Sequence, residues 1–440
     1  MDFVSTALVA LKQPSGFWPT ILNSFKGAMG TYILAVILIA VIVRVLFSLV
    51  DILNKKVNMK NMDINTKMKP ELEAIQKKYG HDQRLLQQKQ QEVYKKYQFS
   101  MMGSCLPMII TMILQFTVFL TLWNSLQAVS NYNICYQYEN MKSLYANVIQ
   151  LNDSSIAGAD ALKLQISEAK TAGEEYSLEA ELNEDLTKLV VTLTRENGGE
   201  IPFEFDYNTE LTNENIYNLL SQYVIELPEV SEGEVISNAF TTDTGYNEIF
   251  KTLAEQTVRD YFEDTREGFL WIKNIYRSES PSNPMFTEKE IKEYLSKYYS
   301  DEEKTLEEAN DYEGKIFNNI IENNGQLDSI RKQHNGYYIL TILAVLTSFL
   351  SIWLSNKLMK NKNQPAQKQN MIMYFVMPII MGIFTFMYTS LFAIYLIIGQ
   401  IIMIALTPLT TWIVKKWIEA EAKKKKEKDV IEVDYRRKDM

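Results

Sequence analysis

Apolar residues along this chain gather into blocks separated by long polar stretches. A helix needs about 20 mostly apolar residues to cross a hydrocarbon core of about 30 Å. Tyr32–Val50, Leu106–Leu126 and Tyr337–Leu354 each have that character. Met371–Val414 is apolar too, but too long for one crossing. Gly382, the Thr389-Ser390 pair and Pro408 interrupt it, so two spans meeting in a short hairpin near Met387–Leu391 are expected. The pattern predicts an all-α polytopic membrane protein with five transmembrane helices. A mean hydropathy of −0.15 over 440 residues would suit a soluble protein, because averaging hides the blocks.

Weaker periodicities fill the intervals. Gly16–Gly30 carries Phe17, Trp18, Ile21, Leu22 and Phe25 at helical spacing, which predicts a short amphipathic helix at the outer interface, where Trp is favoured. Met68, Leu72, Ile75 and Tyr79 make one apolar stripe, and Leu86, Val93 and Tyr97 another. Asn65–Tyr79 and Asp82–Tyr97 thus read as a cytoplasmic helical hairpin within 55–98, broken at Gly80 and capped by Asp82. Between 131 and 267, aromatic and aliphatic residues recur regularly in an acidic background, which predicts a small α+β extracytoplasmic insertion rather than disorder. Leu178–Leu189, Thr212–Ile225 and Tyr246–Asp264 read as helices, with Thr212 or Asn213 as a cap. Val190–Leu193 and Ile201–Phe205 read as strands around the Asn197-Gly198-Gly199 turn. The implied organisation is an outer segment over 1–31, two spans with the hairpin over 32–130, and the insertion over 131–267. Three further spans follow over 268–414, then a basic tail over 415–440.

Charge orients these pieces. Residues 131–336 hold 17 Lys/Arg against 40 Asp/Glu, whereas 1–130 and 337–440 each hold 14 against 7. Lys and Arg concentrate in cytoplasmic loops near span ends. The Lys55–Tyr97 connection, the link with Lys357, Lys360, Lys362 and Lys368, and the tail with Lys415, Lys416 and Lys423–Lys426 fall on one side if five spans are threaded from an outside N-terminus. That puts the acidic block outside and the C-terminus in the cytoplasm. Met1–Leu11 lacks a basic region ahead of its apolar run, so no cleavable signal is read there.

Enzymatic signatures are missing from the sequence. Neither histidine, His81 or His334, falls in a predicted span, and no HExxH, phosphate-binding loop or paired-cysteine metal spacing is present, so no catalytic residue, metal or cofactor is expected. Cys105 and Cys135 fall at opposite ends of the second span, which argues against a disulfide between them. Arg44 is the informative residue. It lies seven residues before Asp51, roughly 10 Å from the cytoplasmic end of the first span. An arginine at a helix centre costs about 2.5–3.5 kcal/mol on insertion scales and marks functional cavities. Its other reading is snorkelling toward the inner headgroups. No other predicted span holds an acidic residue that would pair with it.

The hairpin sequence KMKPELEAIQKKYGHDQRLLQQKQQEVYKKYQ, followed by GSCLPMII, resembles the cytoplasmic hairpin and second core span of the YidC-type insertase family. Arg44 matches that family's first-span arginine. Gly268-Phe269-Leu270-Trp271-Ile272 with Pro284 is similar to the segment preceding its third core span, Gln369 through Ile380 to its fourth, and Ile394-Tyr395-Leu396 to its fifth. The resemblance covers about 16–127 and 268–412, in order. It implies a membrane protein insertase of the bacterial cell membrane, with a hydrated inner-leaflet groove whose arginine attracts a client's acidic tail. Implied partners are nascent membrane-protein clients and the lipid bilayer, with the ribosome (through the basic tail) and a Sec-type translocase as further candidates; no specific DNA binding is implied. Where family members usually carry Gln and then Pro, this chain has Thr111 and Ile113; Gln115, a turn later, is the alternative polar contact. Ala40, Ser351 and Leu396 also depart from the family pattern. The candidate client-binding residues are therefore Arg44, Gln115 and Tyr395. Two other readings remain at this stage. One is a transporter or channel for a small anionic substrate, although no internal repeat supports it. The other is a scaffold presenting the acidic outer domain.

Overall fold

The computed structural model describes residues 11, 13–97, 99, 101–196, 198–208, 211, 213–223, 244–295, 313–359 and 369–438; side chains at 101–105, 107–108, 213–214, 244–245, 369–373 and 425–438 lie outside the description. Lys360, Lys362 and Lys368, the Thr212 and Asn213 cap side chains, the Cys105 thiol and the Lys425 and Lys426 side chains are therefore outside it. The chain divides into two compact units, one of Gly16–Gln127 with Tyr338–Met440, the other of Met1–Ser15 with Ala128–Tyr337.

The first unit is a helical bundle. Helix α1, Phe17–Met29, begins after Gly16 and stops at Gly30, whose φ of 84° is a left-handed conformation that favours glycine. Its buried Leu22 and two hydrogen bonds, Trp18 Nε1 to Thr121 Oγ1 at 3.0 Å and Tyr32 Oη to Asn23 Oδ1 at 2.8 Å, fix it to its neighbours. Helix α2, Tyr32–Tyr79, is one continuous 48-residue element. The sequence suggested a separate helix from Asn65, but nothing between the apolar block and Met68 breaks the backbone ladder. Pro70, inside α2, does not end it. Helix α3, Gln83–Lys96, folds back on α2: the Asp82 side chain accepts hydrogen bonds from the Arg84 and Leu85 amides, Met68 and Val93 are buried, and Glu71 receives both Lys96 at 2.5 Å and Tyr97 at 2.9 Å.

Helix α4, Met101–Ile149, contributes its first part to this unit and residues 128–149 to the other. The bundle is completed by three helices from later in the chain, whose labels follow those of the second unit below. They are Ile339–Met359, Gln369–Met387 and Ser390–Lys438, the last two separated by Tyr388 and Thr389. Among the described residues, four helices are long and apolar enough to cross a membrane: Tyr32–Tyr79, Ile109–Asn152, Ile339–Met359 and Ser390–Lys424; Tyr374–Met387 is a shorter apolar helix. Side chains such as Leu46, Leu49, Ile110, Ile113, Phe375 and Ile379 are exposed on the outside of this bundle, as lipid-facing positions would be.

The second unit holds the sheet. Helix α5, Ala159–Ala172, precedes an antiparallel sheet of β1, Tyr176–Leu182, β2, Lys188–Arg195, and β3, Gly199–Asp206, in the order β1-β2-β3. The expected helix Leu178–Leu189 is corrected by this sheet. Its first five residues, Leu-Glu-Ala-Glu-Leu, alternate between apolar and charged and pair with β2 from Leu178 opposite Leu193 to Leu182 opposite Leu189. Good helix formers were overridden by that pairing. The two expected strands lie within β2 and β3, and β2 buries Leu189, Val191 and Leu193 on one face. Helices α6, Asn213–Tyr223, α7, Thr244–Thr265, and α8, Glu288–Leu295, follow. Continuing this order, α9 is Ile339–Met359, α10 is Gln369–Met387 and α11 is Ser390–Lys438. At the core of the second unit, the rings of Tyr138, Phe262, Phe286 and Phe317 meet with centroids 5.6–6.3 Å apart.

Candidate functional site

Two helices of the first unit define the polar seam. In α2, Arg44, Ser48, Asp51 and Lys55 recur at i, i+4, i+7 and i+11, which puts all four on one face of a 3.6-residue helix. That face meets α11. A Cβ placed on Gly399 would lie 2.7 Å from Arg44 Nε, so the guanidinium rests on the bare backbone there. Lys55 Nζ donates to Thr410 Oγ1 at 2.7 Å, and Thr410 in turn donates to the carbonyls of Leu406 and Thr407. The two contacts are eleven residues apart on each helix, so α2 and α11 run side by side in the same direction.

The Arg44 guanidinium meets α11 at Gly399, one turn beyond Tyr395, whose hydroxyl lies within its electrostatic influence. Arg44 Nε is buried and has no hydrogen-bond partner among the described residues. Tyr395 is 3% exposed and stacks on Phe392 at 6.2 Å. A cationic head held in this way has donors to offer an anion.

Gln115 is half-buried, and its amide makes no hydrogen bond among the described residues. Thr111, which stands where the family pattern would have Gln, is the side chain that reaches α2: its Oγ1 accepts from Asn54 Nδ2 at 2.8 Å, and the residue is 6% exposed. The structure therefore brings Arg44 and Tyr395 together around Gly399, and it is Thr111 that hydrogen-bonds to α2. Ser48, Asp51, Lys55, Gly399 and Thr410 were missed by reading the sequence. Their signal was present as a helix-face repeat continuing from Arg44, but Asp51 and Lys55 lie past the apolar block and looked like solvated loop charges.

Beyond Lys55 the seam continues as surface electrostatics. Glu421 bridges Lys56 at 2.5 Å and Lys60 at 2.6 Å, and these hydrogen bonds hold its carboxyl down to about 2. The Lys56 ammonium also sits 3.4 Å from the centroid of the Trp417 ring. The Gly268–Ile272 segment belongs to the second unit. There Phe269 and Ile272 exchange backbone hydrogen bonds around Leu270, and Trp271 Nε1 donates to the buried Glu279 at 3.0 Å. Among the described residues no group of three His, Cys, Asp or Glu side chains is placed to hold a metal ion.

Comparison with known proteins finds similarity over one segment of the chain. The family model described as 60Kd inner membrane protein matches residues 24–165, a stretch that includes Arg44, the α2–α3 hairpin, all of α4 and the start of α5. A membrane protein insertase YidC of Oleidesulfovibrio alaskensis is 35% identical over 105 residues, 24% of this chain and 18% of that protein. Its counterpart in Clostridium tetani is 31% identical over 103 residues, 23% of this chain and 43% of the relative, and that of Fusobacterium nucleatum 28% over 109 residues, 25% and 50%. The chain thus spans at most half the length of these curated relatives. Within that segment the chain is similar to the YidC-type insertases. The resemblances noted over 268–412 lie outside the matched segment. No solved structure matches the chain.

Proposed function

We propose that this protein is a membrane protein insertase of the bacterial cytoplasmic membrane, crossing it five times with the N-terminus outside and the C-terminus in the cytoplasm. The Arg44 guanidinium, resting on Gly399 beside Tyr395 with its Nε unpartnered, is the observation that carries this reading. In the proposed mechanism the α2–α11 seam lines a hydrated groove in the inner leaflet. The acidic tail of a client is drawn to Arg44, and the client's apolar helix then partitions into lipid beside the groove. Burial of about 20 apolar residues drives the step without a nucleotide. Thr111 and Gln115 supply polar contacts along the path, and the α2–α3 hairpin stands at its cytoplasmic mouth.

Complementation of an insertase-depleted bacterium tests this, with insertion of a single-span client followed by protease protection. Wild type and Arg44→Lys are expected to restore growth and insertion, and Arg44→Ala to lose roughly tenfold or more in insertion rate, about 1.4 kcal/mol. Full activity of Arg44→Ala would remove the arginine from the mechanism. Failure of correctly localised wild type to insert any client would remove the insertase reading itself.

A further inference from the structure

The α2–α11 seam holds more charge than one anion-receiving arginine requires. Lys55 is 8% exposed, yet its ammonium meets only a neutral hydroxyl, that of Thr410, among the described residues. An ammonium has three N–H donors, and Thr410 takes one of them. Asp51 lies on the same face between the two cations, about 6 Å along the helix axis from Lys55 and about 10 Å from Arg44. Its carboxylate lies within the electrostatic influence of both cations but closes an ion pair with neither among the described residues. A buried cation is costly unless balanced. Asp51 supplies that balance at a distance, leaving the donors of Lys55 uncommitted. A closed Asp51–Lys55 pair would instead use them up.

Resting on the insertase reading above, we propose that Lys55 is a second receiving position for the carboxylates of an incoming acidic segment. Asp51 is the resident counter-charge with which those carboxylates compete. The segment meets Lys55 first, at the hairpin end of the seam, and Arg44 about 16 Å further along the axis. If Lys55 served only to tie α2 to α11 through Thr410, its loss would affect every client alike. A receiving role makes its loss selective for acidic clients.

The full chain reconstituted in liposomes, with two single-span clients differing only in a tail of two Asp or two Asn, separates these. Lys55→Gln is expected to slow the Asp-tailed client about fivefold while changing the Asn-tailed client less than about twofold, with Lys55→Arg restoring the difference. Asp51→Asn is expected to speed the Asp-tailed client about two- to threefold, because the internal competitor is gone. Equal slowing of both clients by Lys55→Gln, no slowing of either, or slowing of the Asp-tailed client by Asp51→Asn each overturns the inference. If wild type inserts neither client, the insertase reading falls and takes this one with it. If Arg44→Ala behaves as expected and Lys55→Gln is indifferent to tail charge, only the Lys55 assignment is lost.

Discussion

Gly399 shows how a residue with no side chain shapes a charged site. Any Cβ there would come within 2.7 Å of Arg44 Nε and 3.2 Å of Cζ, so the guanidinium would have to move. Arginine is long and flexible, so the expected result is displacement of the head group and not loss of the fold. Gly399→Ala is therefore predicted to lower insertion of an acidic-tailed client roughly fivefold, about 1 kcal/mol, while leaving the thermal melt of the protein unchanged. A melt lowered in step with activity would show that Gly399 serves helix packing instead. At this scale the sequence was legible where a residue was chemically out of place. Arg44 inside an apolar run announced itself, and so did Tyr395 through its motif. Lys55 did not, because its burial depends on α11 lying alongside, a contact between residues more than three hundred positions apart. Thr111 was read only as a departure from the family's Gln, and its bond to Asn54 is likewise visible only once α2 and α4 are packed.

Elements were legible in proportion to how far local signals decide them. The α2–α3 turn is set by Gly80 and Asp82, both local, and appears where expected. Removing the two cap hydrogen bonds with Asp82→Ala should destabilise α3 by about 1 kcal/mol. Faster amide exchange in Gln83–Lys96 would report it, and unchanged exchange there would mean packing against α2 alone holds the hairpin closed. Strand β1 was misread because Leu-Glu-Ala-Glu-Leu suits a helix until β2 offers a partner. The extension of α4 to Ile149 was hidden because its second half carries Asn131, Asn133, Gln137, Asn140 and Asn147, so the apolar signal stops long before the helix does. That half carries Glu139 and Lys142, whose ammonium lies 2.8 Å from Glu139 and 3.0 Å from Glu313, all three buried. One cation faces two carboxylates, with the Tyr138 ring also against it at 5.1 Å. Burial raises the Glu139 carboxyl to about 7; Lys142 opposes the rise, and the like charge of Glu313 adds to it. The folded chain thus keeps a proton that the unfolded chain releases near 4.5. Stability should be highest below that value, fall as pH rises toward about 7, and then level off. Thermal melts of the second unit should accordingly sit higher at pH 5 than at pH 8, and Glu139→Gln should flatten the difference. An undiminished slope in Glu139→Gln would assign the pH dependence to other groups.

At the scale of the whole molecule, orientation decides what Arg44 can do. Arg44 is twelve residues from the start of α2 and seven from Asp51, so it lies nearer the Asp51 end of the apolar segment. If that end faces the cytoplasm, the charge sits in the inner leaflet, on the side from which clients arrive; if it faces outward, the same seam opens the wrong way for insertion. The charge partition favours the first arrangement, because the acidic excess is confined to 131–336 and Lys and Arg flank the other span ends. Lysines over aromatic rings, Lys357 on Trp353, Lys416 on Trp412 and Lys56 on Trp417, recur at those same ends, as amphipathic side chains do at a membrane interface. The prediction is made with single cysteines in a chain carrying Cys105→Ala and Cys135→Ala. An impermeant maleimide added to intact cells should label Ser154→Cys, in the acidic unit, and should label Lys95→Cys and Lys424→Cys only after the membrane is opened; all three positions are exposed. Labelling of Lys424→Cys in intact cells would place the basic tail outside. It would carry Arg44 to the outer leaflet, and the inner-leaflet groove would fail even though every contact along the seam remained as described.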